Sequence, residues 1–163
     1  VTSKTVQRFI EYMNISYQTL TLQPWSRNLK KRLVKTPKVH FLDVGILRAI
    51  LLKKDELNGH EFESAIVSEI FKQLKSVSPE SRVYHLRTSD GREIDLLIET
   101  SSGYIAIEIK KSSVVRPVDG KYLRGIEDIL DKPVLYKVVL SNDLNIKDLG
   151  GGVKAIPAVQ FLT

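Results

Sequence analysis

Cysteine is absent from the 163-residue chain, which excludes a disulfide scaffold and a thiolate metal site and makes a reducing cytoplasm the expected setting. No apolar run approaches the ~20 residues of a membrane span and no signal peptide opens the chain, so no membrane association is expected. His40, His60 and His85 lack ligand spacing to one another and are read as structural or exposed. Repeats and low-complexity tracts are also missing. The chain begins at Val1 rather than Met, which suggests a piece of something longer.

What is present is charge, unevenly placed. Residues 1–60 hold 11 Lys/Arg against 4 Asp/Glu, and residues 61–163 hold 14 against 15. Within the first part, "RNLKKRLVKTPK" (27–38) carries Arg27, Lys30, Lys31, Arg32, Lys35 and Lys38 and no acid. Such a stretch favours polyanions through counterion release; a solvated loop or an acidic protein partner would use the same composition. Trp25 and Tyr17 lie close by and are expected to pack in the core rather than stack on bases.

The segment 3–14 has a helical apolar stripe of Val6, Phe9, Ile10 and Met13 behind a Ser3 N-cap. Two strand-like stretches follow at 16–25 and 32–43, the second broken by Pro37, then a helical stretch at 44–54 and a turn at 55–59. A helix followed by a basic ribbon suggests a winged helix lacking its first helices. The next helix, roughly 60–75, buries Phe62, Ile66, Val67, Ile70, Phe71 and Leu74, and Glu63 falls near the middle of that stripe. A carboxylate there needs a partner. Glu69, on the flank, does not.

Two strands carry the strongest signal. Asp90-Gly91 marks a two-residue hairpin turn, which places Tyr84 opposite Leu97 and Leu86 opposite Asp95. A second turn, "TSSG" (100–103), places Leu97 opposite Ala106 and Asp95 opposite Glu108. By parity Ile94, Leu96 and Ile98 then share one face with Ile105, Ile107 and Ile109. Tyr84, Leu86, Asp95, Leu97, Ala106, Glu108 and Lys110 share the other. Directly opposed like charges destabilise a hairpin, so Asp95 and Glu108 require a cation, supplied by Lys110, by a metal, or by both. Paired carboxylates suit Mg²⁺, with Lys110 placed to orient an activated water or stabilise charge on phosphorus. A closed Asp–Lys–Glu ion network satisfies the same strands. Glu63 weighs against it, because one lysine does not balance three carboxylates.

Downstream, 118–131 reads as an amphipathic helix with Leu123, Ile126, Ile129 and Leu130 inward. Residues 133–141 read as a buried strand, and 153–162 as a last, edge strand because of Pro157. From residue 60 the order is α-β-β-β-α-β, a meander followed by a crossover.

Glu63 on the first helix, "EID" with Asp95 and "EIK" with Glu108 and Lys110 resemble the PD-(D/E)XK nuclease superfamily, with Ile94 where that motif usually has proline. Over nearly its whole length the chain also resembles the C-terminal region of prokaryotic AAA-superfamily ATPases, in "TVQRFIEYMNISYQTLTLQPWSRNLKKRLVKTPKVHFLDVGI", "GHEFESAIVSEIFKQL", "YHLRTSDGREIDLLIE" and "IEIKKS". The resemblance implies an α/β, restriction-endonuclease-like α-β-β-β-α-β core with a mixed sheet at 56–163, behind a truncated winged-helix-like segment at 1–55. It implies catalytic Glu63, Asp95, Glu108 and Lys110, with Mg²⁺ or Mn²⁺ on Asp95, Glu108 and Glu63. It further implies DNA as partner and a preceding ATPase domain, since no G-x-x-x-x-G-K-[ST] loop, hence no such ATP site, lies in this chain. A metal-dependent phosphodiesterase is one expectation. The alternative is an inactive nuclease fold that binds nucleic acid or a protein partner.

Overall fold

The computed structural model describes residues 2–27, 33 and 36–163. The chain opens with helix α1, Ser3–Ile15, capped by the Thr2 hydroxyl rather than by Ser3, through a 3.3 Å bond from the Thr5 amide. Ile10 and Met13 are half-buried, while Val6, Phe9, Tyr12 and Ile15 face solvent. Strands β1 (Thr19–Pro24) and β2 (Lys38–Phe41) pair antiparallel. Helix α2 (Val44–Ile50) and the long helix α3 (Gly59–Val77) follow. An Asn58–Glu61 capping box starts α3. Arg48 and Lys53 hold the Glu61 carboxylate at 2.7 and 2.8 Å, which fixes α2 and its C-terminal turn against the start of α3.

Strands β3 (Arg82–Arg87), β4 (Glu93–Glu99) and β5 (Tyr104–Lys110) form the expected meander. A crossover then returns the chain to β6 (Val134–Ser141), parallel to β5, before β7 (Lys147–Asp148), β8 (Val153–Pro157) and helix α4 (Ala158–Leu162). All eight strands make one mixed sheet in the order β2-β1-β3-β4-β5-β6-β8-β7. The two early strands extend this sheet because β1 runs parallel to β3, pairing Gln23 with Tyr84 and Pro24 with His85. Leu22 and Trp25 are thereby fully buried, and the indole donates to the Tyr104 hydroxyl at 3.0 Å. Among the described residues no helix is long and apolar enough to cross a membrane.

The sheet is covered on both faces, so its strands are apolar on both sides. Helices α3 and α4 cover one face through Phe62, Ile66, Val67, Ile70 and Ala158, against Leu96, Ile98, Ile107 and Ile109. The crossover covers the other through Leu123, Ile126 and Ile129, against Leu97, Ala106 and Val139. The crossover is not the expected helix. It holds two short 3-10 segments, Pro117–Gly120 and Ile126–Asp128, because Gly125 takes a left-handed φ of +67° and breaks the helical path. Nor is 153–162 an edge strand. Residues 158–162 are helical, and β8 is shielded by the two-residue β7, which is the edge.

Along its ladder the β4–β5 register is as expected, Leu97 facing Ala106 and Ile98 facing Ile105, but the ladder stops at Leu96–Ile107 and the expected Asp95–Glu108 pair is not part of it. The β3–β4 register follows expectation only in part. Thr88 bonds to the Arg92 carbonyl at 2.9 Å across Ser89, Asp90 and Gly91, with Gly91 at φ +87°, a three-residue loop rather than a two-residue one. Leu86 therefore pairs with Ile94, not Asp95. The ladder then shifts, and Tyr84 meets Leu97 as the two-residue turn would have placed it. Between these pairs His85 opposes both Asp95 and Leu96, so the extra residue is a β-bulge in β4. This moves Ile94 to the Trp25–Leu86 face while Leu96 stays on the α3 face, correcting the face assigned to Ile94 from parity.

Gly103 closes the β4–β5 turn against the start of β6, and a Cβ built on it would lie 2.3 Å from the Pro133 carbonyl oxygen. That carbonyl already accepts the Tyr104 amide at 2.8 Å. Gly103→Ala is expected to lower stability by about 1–3 kcal/mol, the range for forced overpacking, with an unchanged m-value in urea melts. A neutral substitution would mean that this turn has slack.

Candidate functional site

A cleft of about 660 Å³ lies beside the bulge in β4, lined among others by Lys38, Glu63, Glu93, Asp95, Glu108 and Lys110. Glu63 reaches it from the first turns of α3, and Glu108 and Lys110 from the end of β5. Asp95 sits in the bulge itself. The last β4–β5 ladder pair is Leu96 with Ile107. Beyond it the Asp95 carboxylate takes over from main chain, its Oδ2 accepting the Ile109 amide at 2.9 Å. All four residues expected to form a site thus line one cavity.

The cation among them was not expected. Lys38, the first residue of β2, directs its ammonium to Glu93 Oε1 at 2.7 Å, Glu63 Oε1 at 3.0 Å and Asp95 Oδ1 at 3.2 Å. Lys110 donates to Glu108 Oε1 at 2.6 Å, while Glu108 Oε2 is buried with no hydrogen-bond partner among the described residues. Arg87 approaches Glu93 at 4.0 Å from the rim. If all four carboxylates are ionised, these three cations leave the described part of the cleft one positive charge short.

The electrostatics follow from that shortage. Burial, together with Asp95, pushes the Glu108 carboxyl up to about 8 against the pull of Lys110. Burial and Asp95 likewise raise Glu63, with Lys38 opposing. Burial works against the Lys38 ammonium, but Asp95, Glu63 and Glu93 outweigh it and hold its pKa well above the ordinary lysine range. Lys110 is raised too, the Glu108 contact outweighing burial. Both lysines are therefore charged at neutral pH.

The remaining residues singled out in the sequence sort cleanly. Arg27 makes a two-pronged ion pair with Glu99, both bonds 2.8 Å, and Lys132 reaches the same carboxylate at 2.7 Å. Arg27 and Lys38, two of the six basic residues, thus engage carboxylates within the chain. Lys30, Lys31, Arg32 and Lys35 lie outside the described residues. His85 is buried, its Nε2 3.0 Å from the Thr36 carbonyl, as a structural histidine should be. Trp25 is core, and Tyr17 is exposed. His60 is exposed at the cleft mouth, 3.9 Å from Glu63.

His40 belongs to the site. It is buried beside Ser64, with Nδ1 3.0 Å from the hydroxyl, and its unpartnered Nε2 lies 4.0 Å from Glu63. Burial, with Lys38 and His85, lowers it to about 4 and keeps it neutral. His40 and Glu93 were missed as site residues. Alternation offered a signal for both: Glu93 lies two residues before Asp95, and His40 two after Lys38.

The donor set fits a hard divalent cation in its chemistry: carboxylate oxygens only, one of them buried and unpartnered. The arrangement with Lys38 in place does not hold one. Among the described residues no group of three His, Asp or Glu side chains is disposed to bind a metal ion.

Residues 58–161, which supply every carboxylate of the cleft, match the family described as Domain of unknown function (DUF4143). The chain belongs to that family. Residues 1–57, which supply Lys38 and His40, match a second domain of unknown function, DUF8612. Uncharacterized proteins of Mycobacterium bovis and Mycobacterium tuberculosis are each 25% identical over 166 residues, covering 100% of this chain. The chain spans 37% of the length of these relatives. No solved structure matches it significantly.

The raised Glu108 carboxyl has a pH signature. Glu108 binds its proton more tightly folded than unfolded, so it stabilises below its unfolded pKa of about 4.5 and loses that contribution as pH rises through about 8. His40, lowered from 6.5 to about 4, does the opposite, its contribution growing until about pH 6.5 and then levelling; His85, also lowered, acts in the same sense. In chelator, wild-type stability should fall between pH 6.5 and 8, Glu108 contributing at most about 1.4 kcal/mol per pH unit and the raised Glu63 acting in the same sense. Glu108→Gln should flatten it. Parallel profiles in urea melts would show that Glu108 is not the titrating group.

Proposed function

We propose that this is a restriction-endonuclease-like, PD-(D/E)XK-type domain acting on the phosphodiester backbone of DNA with a divalent cation, from the C-terminal part of an AAA-type ATPase. One observation carries the reading: Glu63, Asp95, Glu108 and Lys110, drawn from a helix and two strands, converge on one cleft. A solvated charge pattern would not bring them together at the one bulge in the meander.

Asp95, Glu108 and Glu63 would hold Mg²⁺ or Mn²⁺, which when bound supplies Lewis-acid polarisation of a phosphoryl oxygen and a more acidic water. Lys110 is fixed against Glu108 and charged at neutral pH, so it serves as a donor to developing negative charge on the phosphorus centre rather than as a base. Of the basic stretch 27–38, Lys30, Lys31, Arg32 and Lys35 would supply backbone contacts without sequence preference.

A second reading has its own support. Lys38 satisfies three carboxylates at once, as a closed ion network in a non-catalytic binding or regulatory domain would. The two readings separate on plasmid and single-stranded DNA incubated with Mg²⁺ or Mn²⁺. Catalysis predicts metal-dependent nicking that Lys110→Ala lowers at least a hundredfold, the scale for one oxyanion-type donor. No cleavage of either substrate, or cleavage equal in Lys110→Ala, sinks it. Binding is tested apart: replacing Lys30, Lys31 and Arg32 together should weaken unrelated DNA sequences alike and flatten the salt dependence. An unchanged slope would assign the stretch to a protein partner or to solvent.

A further inference from the structure

We propose that Lys38 is a displaceable counter-ion. Its ammonium occupies the cation position among Glu63, Glu93 and Asp95 in the metal-free protein and withdraws when a divalent cation binds. The inference rests on reading the cleft as a divalent-cation site, and it adds a competitor for that site built into the same chain.

Four observations carry it. First, the ammonium lies 2.7–3.2 Å from one oxygen of each of three carboxylates, and two of them, Glu63 and Asp95, are the proposed ligands. A hard divalent ion would sit about 2.0–2.6 Å from such oxygens, so the two cations exclude each other. Second, Glu108 is 3% exposed and its Oε2 has no partner among the described residues. Lys38 satisfies Glu63, Glu93 and Asp95 but leaves this fourth carboxylate half-bonded. Third, Glu93 makes the shortest of the three contacts and is not among the proposed ligands. It retains Lys38 without contributing to a metal shell.

The fourth observation is the way out. Lys38 begins β2, the edge strand of the sheet, and its side chain is 23% exposed. Among the described residues only β1 pairs with it, through Leu22, and the preceding Pro37 has no amide to bond. A rotation about the lysine side chain frees the cation position without disturbing the core. A lysine rooted in a central strand would have no such freedom.

Competition of this kind raises the apparent dissociation constant by the reciprocal of the fraction of time the plug is out. Free Mn²⁺, followed by its electron paramagnetic resonance signal during titration of the full chain, reads that constant without any assay of activity. Lys38→Met should bind Mn²⁺ about tenfold or more tighter than wild type if the plug is out a tenth of the time or less. Glu93→Gln, which loosens Lys38 and leaves Glu63, Asp95 and Glu108 intact, should move in the same direction by less. Asp95→Asn should abolish the signal change in either background. If Lys38→Met fails to fold, Glu93→Gln decides alone, and weaker Mn²⁺ binding by it would make Glu93 a ligand and overturn the proposal. Equal affinity for wild type and Lys38→Met overturns the plug and leaves the metal reading standing. No Mn²⁺ binding by wild type, Lys38→Met or Glu93→Gln removes both.

Discussion

Carboxylates crowded into a half-buried cleft repel one another, and burial weakens the water that would screen them. The fold answers with Lys110 and Arg87 from the meander itself and with one cation brought from outside it. Glu63, Glu93, Asp95 and Glu108 all belong to α3, β4 and β5, while the ammonium that touches three of them comes from β2. For Lys38 to arrive there, β1 must lie parallel to β3 and carry β2 at its outer side. The burial of Leu22 and Trp25 holds β1 in that place. Arg27, just past β1, is pinned by Glu99 at the far end of β4, so ion pairs secure the early segment at both ends of the strand it serves. The two family matches meet in this cleft, since the anions lie in one and Lys38 in the other.

Much of this was legible in the sequence. Alternation and the 100–103 turn gave the β4–β5 register, and a single helical stripe showed that Glu63 had to have a partner. What escaped was local. Asp90-Gly91 announces a turn but does not say whether two or three residues close it, and one extra residue changes which side chain faces the core. The bulge cancels the difference three residues later. It leaves its mark between the turn and Asp95, a stretch that includes Glu93 and Asp95 of the site. A bulge has no composition of its own to be read.

Other departures have the same origin in contacts that composition does not encode. Leu123, Ile126 and Ile129 are buried as helical spacing implied, yet two 3-10 segments deliver them, because Gly125 reverses the backbone and Gly120 packs so tightly that a Cβ would sit 2.9 Å from Val153. Pro157 ends β8 instead of marking an edge, since α4 starts just after it. Lys38 was grouped with five other basic residues as a phosphate contact. A charge run reports sign and density, whereas the inward turn of one lysine depends on where β2 docks, a long-range property.

Asp95 ties the integrity of the sheet to the charge of the cleft. Its Oδ2 replaces main chain where the β4–β5 ladder stops, accepting the Ile109 amide, and its Oδ1 faces Lys38. One oxygen is thus structural and the other electrostatic. An alanine at 95 would remove both and leave a buried amide unpaired, a cost that arises whether or not the cleft ever binds a cation. An asparagine oriented with its carbonyl toward Ile109 keeps the structural bond but turns its Nδ2 amide, a donor, toward the Lys38 ammonium in place of the charged acceptor. Ion network and metal site therefore make the same demand on Oδ2 and differ at Oδ1, where the partner is either a permanent ammonium or one that yields to a divalent ion. A substitution that spares the Ile109 bond is the one that reports on the chemistry of the cleft rather than on the bulge beside it.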